Sequence, residues 1–262
     1  MFEEMSFWDH VGELRKVIFR IGMVLIVCFG GAFCLVPYIF NSVILAPCHH
    51  NFILYVWLHR LGEWIGSSSD FFMQPYSVRL ININLTDQFM THLNTSFWIA
   101  CLACMPLLLW QLWTFVAPAL YTREKRYVVT AFSMGTVLFY AGVAVGYFFI
   151  FPLTLRFLVN YNLSSEIINT LSFGSYIDNF MMMLLIMGVV FEMPLVTWLL
   201  AVFGILKKSM LIKYQRHAIV AIVILAAVIT PTGDPFTLTI VSLPLILLYE
   251  LSILVIRDKK KI

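Results

Sequence analysis

The chain has 262 residues, of which 61% are hydrophobic and only 12% are charged, and its formal net charge is +3. A soluble domain carries roughly 25% charged residues, so this chain could not cover the surface of a water-soluble globule. The composition therefore excludes an ordinary soluble enzyme, a disordered chain and a nucleic-acid-binding module, and it indicates a protein that folds in lipid.

Six apolar segments are long enough to be membrane-spanning helices, because about 20 residues of helix cross the hydrocarbon core of a bilayer. No segment alternates polar and apolar residues as the strands of a membrane barrel do. The sequence therefore predicts an all-α integral membrane protein that forms one six-span domain over residues 1–262. The predicted spans cover residues 18–40, 95–115, 128–151, 176–204, 217–230 and 236–256, with residues 48–90 as the longest loop.

The fifth and sixth predicted spans are shorter than the others. The fifth has an uncharged run only from Ala218 to Thr230, and it ends at a cluster of helix-breaking residues that begins with Pro231. The sixth is interrupted by Glu250 after a similar distance. Short helices are tolerated where the bilayer thins or where neighbouring protein covers their ends, and the sequence leaves both explanations open.

The third predicted span contains Gly142 and Gly146, which lie four residues apart. Small residues at this spacing allow two membrane helices to approach closely. We therefore expect a helix-packing face at these two glycines.

The basic residues indicate how the chain is oriented in the membrane. Six spans place both termini on one side, together with the loops 116–127 and 207–217. This side holds all of the 17 Lys and Arg residues except Arg60, Arg79 and Arg156. Because basic residues accumulate on the side from which a protein inserts, both termini are expected in the cytoplasm or in the matrix or stroma of an organelle.

Glu192 lies inside the fourth predicted span, two residues before Pro194. A carboxylate at the centre of a membrane costs a few kcal/mol, so such a residue usually faces a cavity or a partner. Pro194 predicts a kink at the same place, because proline removes a helix hydrogen bond. Glu192 is either a functional carboxylate or a protonated side chain that bonds to a neighbouring helix, and both readings remain open at this stage.

Two further acidic residues stand among basic ones on the predicted inner side: Glu13 precedes Arg15 and Lys16, and Glu124 lies between Arg123 and Lys125. Local ion pairing at helix ends would explain both residues. The functional alternative is that the two carboxylates accept a cationic peptide. Arginine suits this role, because its planar guanidinium bonds a carboxylate through two parallel hydrogen bonds.

The remaining reactive residues give weak patterns. Cys101 and Cys104 are spaced like a metal-binding pair but lie in an apolar segment without further ligands, and the Cys48-His49-His50 run stands at the end of a span. The sequence contains no HExxH and no GxSxG motif. We therefore expect no metal, no cofactor and no enzymatic activity. A proton-coupled small-solute transporter built around Glu192 is an alternative function, although the sequence lacks the inverted repeats of such proteins.

Four motifs occur in order along the chain. They are residues 10–16 (His-Val-Gly-Glu-Leu-Arg-Lys), residues 111–124 (Gln-Leu-Trp-Thr-Phe-Val-Ala-Pro-Ala-Leu-Tyr-Thr-Arg-Glu), Phe191-Glu192-Met193-Pro194, and Thr230-Pro231 with Asp234-Pro235 followed by Tyr249-Glu250. In these motifs the chain resembles the TatC family, the multi-span receptor subunit of the twin-arginine protein translocase.

The resemblance implies six tilted helices around a concave face and a receptor that binds the twin-arginine signal peptides of folded precursors. It implies transport driven by the proton-motive force, small single-span partner subunits of the TatA and TatB type, and a homo-oligomeric receptor complex. The signal-peptide site would comprise Glu13, Arg15, Phe115, Pro118 and Glu124, with the two glutamates holding the paired arginines.

The resemblance also assigns roles inside the membrane. Glu192, Thr230, Asp234 and Glu250 would face the concave surface or contact the partner subunits. Pro47, Pro194 and Pro231 would be structural.

The location of the protein is inferred from composition and from the start of the sequence. The chain contains 23 Phe residues, which is typical of an AT-rich organelle gene, and it begins without a recognisable transit peptide. We therefore expect the mitochondrial inner membrane, with a bacterial plasma membrane and a thylakoid membrane as alternatives.

Overall fold

The computed structural model describes residues 7–66, 78, 80–116, 125–161, 164, 170–230 and 234–256. At residues 7–11, 13, 112–116 and 125–131 the description covers the backbone alone. Most of the described residues are α-helical. The helices are α1 (Phe7–Ile39), α2 (Ile53–Ile65), α3 (Asp87–Val116), α4 (Lys125–Val145), α5 (Phe151–Asn160), α6 (Phe173–Phe191), α7 (Met193–Val202), α8 (Lys208–Ile229) and α9 (Pro235–Val255).

Three short turns extend or join these helices. A π-helical turn at Phe40–Ile44 continues α1 and leads into a 3-10 turn at Ala46–Cys48. A second π-helical turn at Gly146–Ile150 joins α4 to α5. The two π-helical turns change the direction of the side chains within a span without ending the helix, whereas the 3-10 turn ends the first span.

Six segments of the described chain are long and apolar enough to cross a membrane, which confirms the predicted all-α, six-span fold. They are Leu14–Cys48, Asp87–Gln111, Phe132–Asn160, Phe173–Val202, Lys208–Ile229 and Pro235–Val255. The last two are the shortest, with 22 and 21 residues, as the sequence predicts. The helix that carries the fifth span begins before the predicted span start at residue 217, since α8 starts at Lys208. Its first turns carry Lys213 and Arg216, whose long side chains can extend toward water from a membrane helix.

Residues 48–90 contain more regular structure than the predicted loop. Helix α2 lies within this region, and α3 begins at Asp87 rather than at residue 95. The Asp87 carboxylate accepts a hydrogen bond of 3.1 Å from the backbone N–H of Asn84, which explains the earlier start. A two-residue strand, β1 (Leu80–Ile81), pairs in parallel with β2 (Leu171–Ser172).

The chain divides into two compact units, one made of residues 1–37 and 89–137 and the other of residues 38–88 and 138–262. In the first unit, the His92 ring of α3 stacks on Phe33 of α1 with 4.0 Å between ring centroids. The Nε2 atom of His92 lies 2.9 Å from the Phe33 carbonyl oxygen. Ala100 and Cys104 are buried in the same unit. A polar side chain therefore joins α1 to α3 within an apolar core.

In the second unit, α4 crosses α6 at very short range. A methyl group placed on Gly142 would lie 2.7 Å from the Cβ atom of Phe191, and one on Gly146 would lie 3.3 Å from the Cβ atom of Met187. The predicted packing face at these two glycines is confirmed. The partner helix contributes Gly188, where a methyl group would lie 2.6 Å from the Phe139 ring. Glycine is required on both helices because no other residue leaves room for this crossing.

Three tyrosines of the second unit hold the carboxyl end of the first span. Tyr147 and Tyr176 donate hydrogen bonds of 2.9 and 2.6 Å to the carbonyl oxygens of Val43 and Ile44. The Tyr55 hydroxyl lies 3.0 Å from the Pro47 carbonyl oxygen. These bonds satisfy carbonyl groups that the end of a helix leaves without partners.

Candidate functional site

The predicted signal-peptide residues lie at the amino end of α1 and around the connection between α3 and α4. Glu13 and Arg15 are on α1, and Arg15 is exposed. Phe115 is in the last turn of α3. The side chains of Glu13 and Phe115, and all of Pro118 and Glu124, lie outside the described residues. The structure therefore describes the helices α1 and α3, on which part of the predicted site lies. The relative positions of the Glu13 and Glu124 carboxylates stay a prediction.

Glu192 lies at a break in the fourth span, between the end of α6 and the start of α7. Its backbone N–H donates to the Val189 carbonyl oxygen at 3.1 Å, a bond three residues back that tightens the turn. Pro194 occupies the first turn of α7, where the missing N–H of proline is tolerated. The predicted break at Pro194 is therefore present, and it is centred on Glu192.

The Glu192 side chain is buried, with 8% of its surface exposed. Neither carboxylate oxygen has a hydrogen-bond partner within the part of the chain that the structure describes. Burying an unsatisfied carboxyl group is costly. Glu192 thus presents an acceptor that a donor from another molecule could satisfy, which is the property expected of a contact site inside a membrane.

Thr230 follows the end of the fifth span, and Asp234 precedes the start of the sixth. Thr230 is buried at the end of α8, and its backbone N–H bonds to the Ala226 carbonyl oxygen at 2.9 Å. Asp234 caps α9, where its Oδ1 atom accepts a hydrogen bond of 2.8 Å from the Thr237 backbone N–H. Pro231 lies outside the described residues. Asp234 therefore has a structural role in the turn, whether or not it also meets a partner.

Glu250 is half-buried near the other end of α9 and is bonded to α8. Its Oε1 atom accepts a hydrogen bond of 2.5 Å from the Gln215 Nε2 atom. The neighbouring Tyr249 donates to the Leu211 carbonyl oxygen at 2.8 Å. Two consecutive residues of α9 are thus fastened to α8. Gln215 was not selected from the sequence. Its only signal is its position near the start of α8, which lies beside the end of α9, where Glu250 is, when the two helices run antiparallel.

Pro47 is buried in the 3-10 turn that ends the first span, and its carbonyl accepts the Tyr55 hydrogen bond. Tyr55 also lies under a second residue that the sequence analysis did not select. The guanidinium carbon of Arg156 is 5.2 Å from the centroid of the Tyr55 ring, and Arg156 is only 2% exposed. The sequence signal for Arg156 is that it is a single arginine within an apolar run. A cation that is buried in such a run requires a partner.

The cysteines that gave weak metal-site patterns in the sequence lie in different parts of the chain. Cys48 is buried next to Pro47, whereas Cys101 and Cys104 lie on α3. Within the described residues, no group of three or more His, Cys, Asp or Glu side chains is placed to hold a metal ion.

Comparison with known proteins identifies related chains over almost the full length. Residues 9–244 match the model of the family described as Sec-independent protein translocase protein (TatC). The Sec-independent protein translocase protein TatC of Blattabacterium sp. subsp. Periplaneta americana is 31% identical over 251 residues, which cover 95% of this chain and 94% of that protein. The protein of the same name from Campylobacter jejuni is 31% identical over 257 residues, covering 98% and 95%.

A solved structure is similar along both chains. The crystal structure of a twin-arginine translocase receptor, TatC, in the detergent DDM matches with a TM-score of 0.74 and 27% identity. The match covers 95% of this chain and 99% of that one.

Proposed function

Because the chain belongs to the TatC family of Sec-independent protein translocase proteins, we propose that it is the receptor and core subunit of a twin-arginine translocase. In this role it binds the twin-arginine signal peptides of folded precursors and supports their transport with the energy of the proton-motive force. The observation that carries the proposal is the match to a solved twin-arginine translocase receptor over nearly the whole of both chains. That match also favours a translocase subunit over a proton-coupled solute transporter.

The signal peptide is bound by Glu13 and Glu124, whose carboxylates each accept one guanidinium of the arginine pair. A bidentate pair of this kind is directional as well as strong, so lysine is a poor substitute for arginine. Phe115 and Pro118 shape the connection next to the site, and Arg15 contributes from α1. The exposure of Arg15 supports the proposal, since it places this part of α1 within reach of a ligand.

Photocrosslinking from positions beside Glu13 and Glu124 tests this site. Crosslinks to a precursor with its arginine pair are expected, and they should be lost when the pair is changed to two lysines. Glu13→Ala or Glu124→Ala should reduce the yield about tenfold, which corresponds to losing a charge-assisted hydrogen bond. Glu63→Ala, a change at an exposed acid of α2, is the matched control and should leave the yield unchanged. Full binding by the double Glu13→Ala, Glu124→Ala variant would contradict the assignment.

Small single-span subunits of the TatA and TatB type meet the last two spans and Glu192, and further copies of this chain complete the receptor complex. The buried carboxyl group of Glu192 without a partner among the described residues supports this proposal, since a polar group on a neighbouring helix would satisfy it. Thr230 and Asp234 lie in the turn that such a subunit would approach. Cysteine crosslinks from positions near Glu192 to a single-span subunit test the contact, and crosslinks confined to the opposite faces of these helices would contradict it.

The protein is an integral membrane protein, and its location in the mitochondrial inner membrane is our further proposal. The high phenylalanine content supports it, with 23 residues in the chain. The relatives described above are proteins of bacteria, so a bacterial plasma membrane is the main alternative. Fractionation of the source cells, followed by detection with an antibody against this chain, decides between the two membranes.

A further inference from the structure

Helix α2 has a buried face and an aromatic flank. Leu54, Tyr55 and Gly62 are buried. Successive residues of a helix are about 100° apart, so four side chains spaced by four, three and four residues form one stripe. This stripe, which we call the aromatic flank, consists of Ile53, Trp57, Arg60 and Trp64.

The aromatic flank is strongly exposed. Trp57 is 62% exposed and Trp64 is 85% exposed. Contiguous exposed apolar side chains mark a surface that meets a membrane or a partner. Tryptophan is characteristic of the boundary between lipid and water, where its ring is in the apolar layer and its N–H is hydrated.

One side of the buried face is polar. His59 and Glu63 lie one turn apart there, and the His59 Nδ1 atom is 3.5 Å from a carboxylate oxygen of Glu63. Both side chains are exposed. At about 100° per residue, the aromatic flank lies roughly opposite the buried face and the polar pair lies beside it, so the exposed side of the helix carries an aromatic stripe next to a polar one. Aromatic and polar stripes that run side by side are the pattern of a helix that lies in the plane of a membrane interface.

A cavity of about 410 Å³ adjoins the aromatic flank at Ile53. Its polar lining comprises Asn41, Ser42, His49 and Asn51, and the rings of Phe52 and Phe148 also contribute to its wall. The amide and imidazole groups can donate hydrogen bonds to phosphate-ester and glycerol oxygens. The π-helical turn of the first span contributes Asn41 and Ser42 to the cavity and that of the third span contributes Phe148, so residues of two candidate membrane spans line it.

We propose that the aromatic flank of α2 and this cavity bind an anionic glycerophospholipid from the leaflet at the carboxyl end of the first span. Arg60 faces the lipid phosphates, and Trp57 and Trp64 lie at the level of the glycerol backbone. The cavity takes the headgroup. The charge pattern selects an anionic lipid, since the basic residue is on the aromatic flank and the acidic residue is on the polar flank. This site is independent of signal-peptide binding at Glu13 and Glu124.

Depth-dependent quenching tests the position of the flank. The full chain and its Trp57→Phe, Trp64→Phe variant are reconstituted in nanodiscs that contain phosphatidylcholine with a nitroxide at the headgroup, at carbon 5 or at carbon 12. The difference between the two proteins isolates the emission of Trp57 and Trp64. Quenching that is strong at the headgroup and carbon 5 and weak at carbon 12 supports the proposal. Quenching by aqueous iodide alone, or protection from both lipid and aqueous quenchers, would overturn it and indicate a hydrated or protein-covered flank.

Lipid retention tests the charge. The detergent-purified chain is titrated with phosphatidylglycerol and with phosphatidylcholine and is analysed by native mass spectrometry. Arg60→Gln should weaken phosphatidylglycerol binding about fivefold, the effect of neutralising one basic residue at a membrane surface. Arg60→Lys should retain most of the binding, and Glu63→Gln on the polar flank is the matched control and should not reduce it. The double variant Asn41→Leu, Asn51→Leu should weaken the binding of both lipids. Equal retention by all these variants would overturn the proposal, and monodisperse elution confirms that each variant is folded.

Discussion

Glu192 and Glu250 both lie inside candidate membrane spans of the second unit, but their surroundings differ. Glu250 is half-buried and accepts a hydrogen bond from Gln215 on the adjacent helix. Glu192 is more deeply buried, at a break between two helices, and its carboxylate has no hydrogen-bond partner among the described residues. The same chemical group therefore occupies a satisfied site in one place and an unsatisfied site in the other.

The different surroundings point to a structural role for Glu250 and an intermolecular role for Glu192. The hydrogen bond from Gln215 joins α8 to α9 and satisfies one carboxylate oxygen of Glu250 within the chain. A Glu192 carboxyl group that finds no hydrogen-bond partner in the described part of the chain costs stability, and such a cost in a folded protein calls for a functional explanation. The resemblance to the TatC family implies partner contacts for both residues. Glu192 has the carboxyl group without a hydrogen-bond partner among the described residues, which such a contact would satisfy, and a contact between Glu250 and a partner stays a prediction.

The largest effect is expected from reversing the charge at Glu192. Glu192→Lys places an ammonium group in a buried site for which no acidic partner lies among the described residues, and it should lower the free energy of unfolding by about 3 kcal/mol or more. Glu192→Gln keeps the shape and needs no counter-charge, so its cost should stay below about 1 kcal/mol. Thermal unfolding of the purified protein measures both values. Glu63→Lys, at an exposed position, should have almost no effect. Equal losses from the lysine and glutamine variants would show that the site requires the carboxylate itself.

The next largest effect is expected at Gly142, which lets α4 approach the end of α6 beside Glu192. In Gly142→Ala the new methyl group would lie 2.7 Å from Phe191, so the helices must separate, at a cost of about 1–3 kcal/mol. The displacement should also reduce crosslinking from positions near Glu192 while the bond between Gln215 and Glu250 persists.

Gly30→Ala is the control for that change, because nothing lies within 4 Å of the position where its methyl group would be. It should be neutral or stabilise the helix by about 0.5–1 kcal/mol. If the two alanine variants had equal stability, the close crossing of α4 and α6 would not be important for the fold.

A smaller effect is expected when Glu250 is made to resemble Glu192. Gln215→Leu removes the donor and leaves a half-buried carboxylate with less hydrogen bonding, which should cost about 1–3 kcal/mol. Glu250→Leu in the same protein should recover part of this loss, since removing both polar partners is cheaper than removing one. Gln88→Leu, at an exposed position, is the control for the substitution itself. A thermal shift as small as that of the control would mean that the bond contributes little.

The features that could be predicted from the sequence are those that the lipid environment imposes on any chain. Apolar runs must become helices in lipid, so the six spans were predictable, and the spacing of Gly142 and Gly146 was sufficient to locate a helix crossing. Residues that depend on contacts far apart in the chain were not predictable. Gln215 meets Glu250 across 35 positions, and Tyr55 reaches the Pro152 carbonyl oxygen across 97. Hydropathy also gave no sign that α8 extends back to Lys208, because it cannot distinguish a basic helix turn at the interface from a loop.

The smallest effect is expected at Asp234, where two roles can be separated by two substitutions. Asp234→Ala removes the cap on α9 and should cost about 1 kcal/mol, whereas Asp234→Asn retains an oxygen that can accept the Thr237 hydrogen bond and should cost only a few tenths. Asparagine also removes the negative charge. If Asp234 acts on a partner through its charge, Asp234→Asn will lose crosslinking to the single-span subunit at nearly unchanged thermal stability. If Asp234 acts only as a cap, the asparagine variant will retain both properties and the alanine variant will weaken both. In that case Asp234 is a further acidic residue of the second unit whose oxygen is satisfied within the chain, by the Thr237 backbone N–H, and its role is to fix where α9 begins.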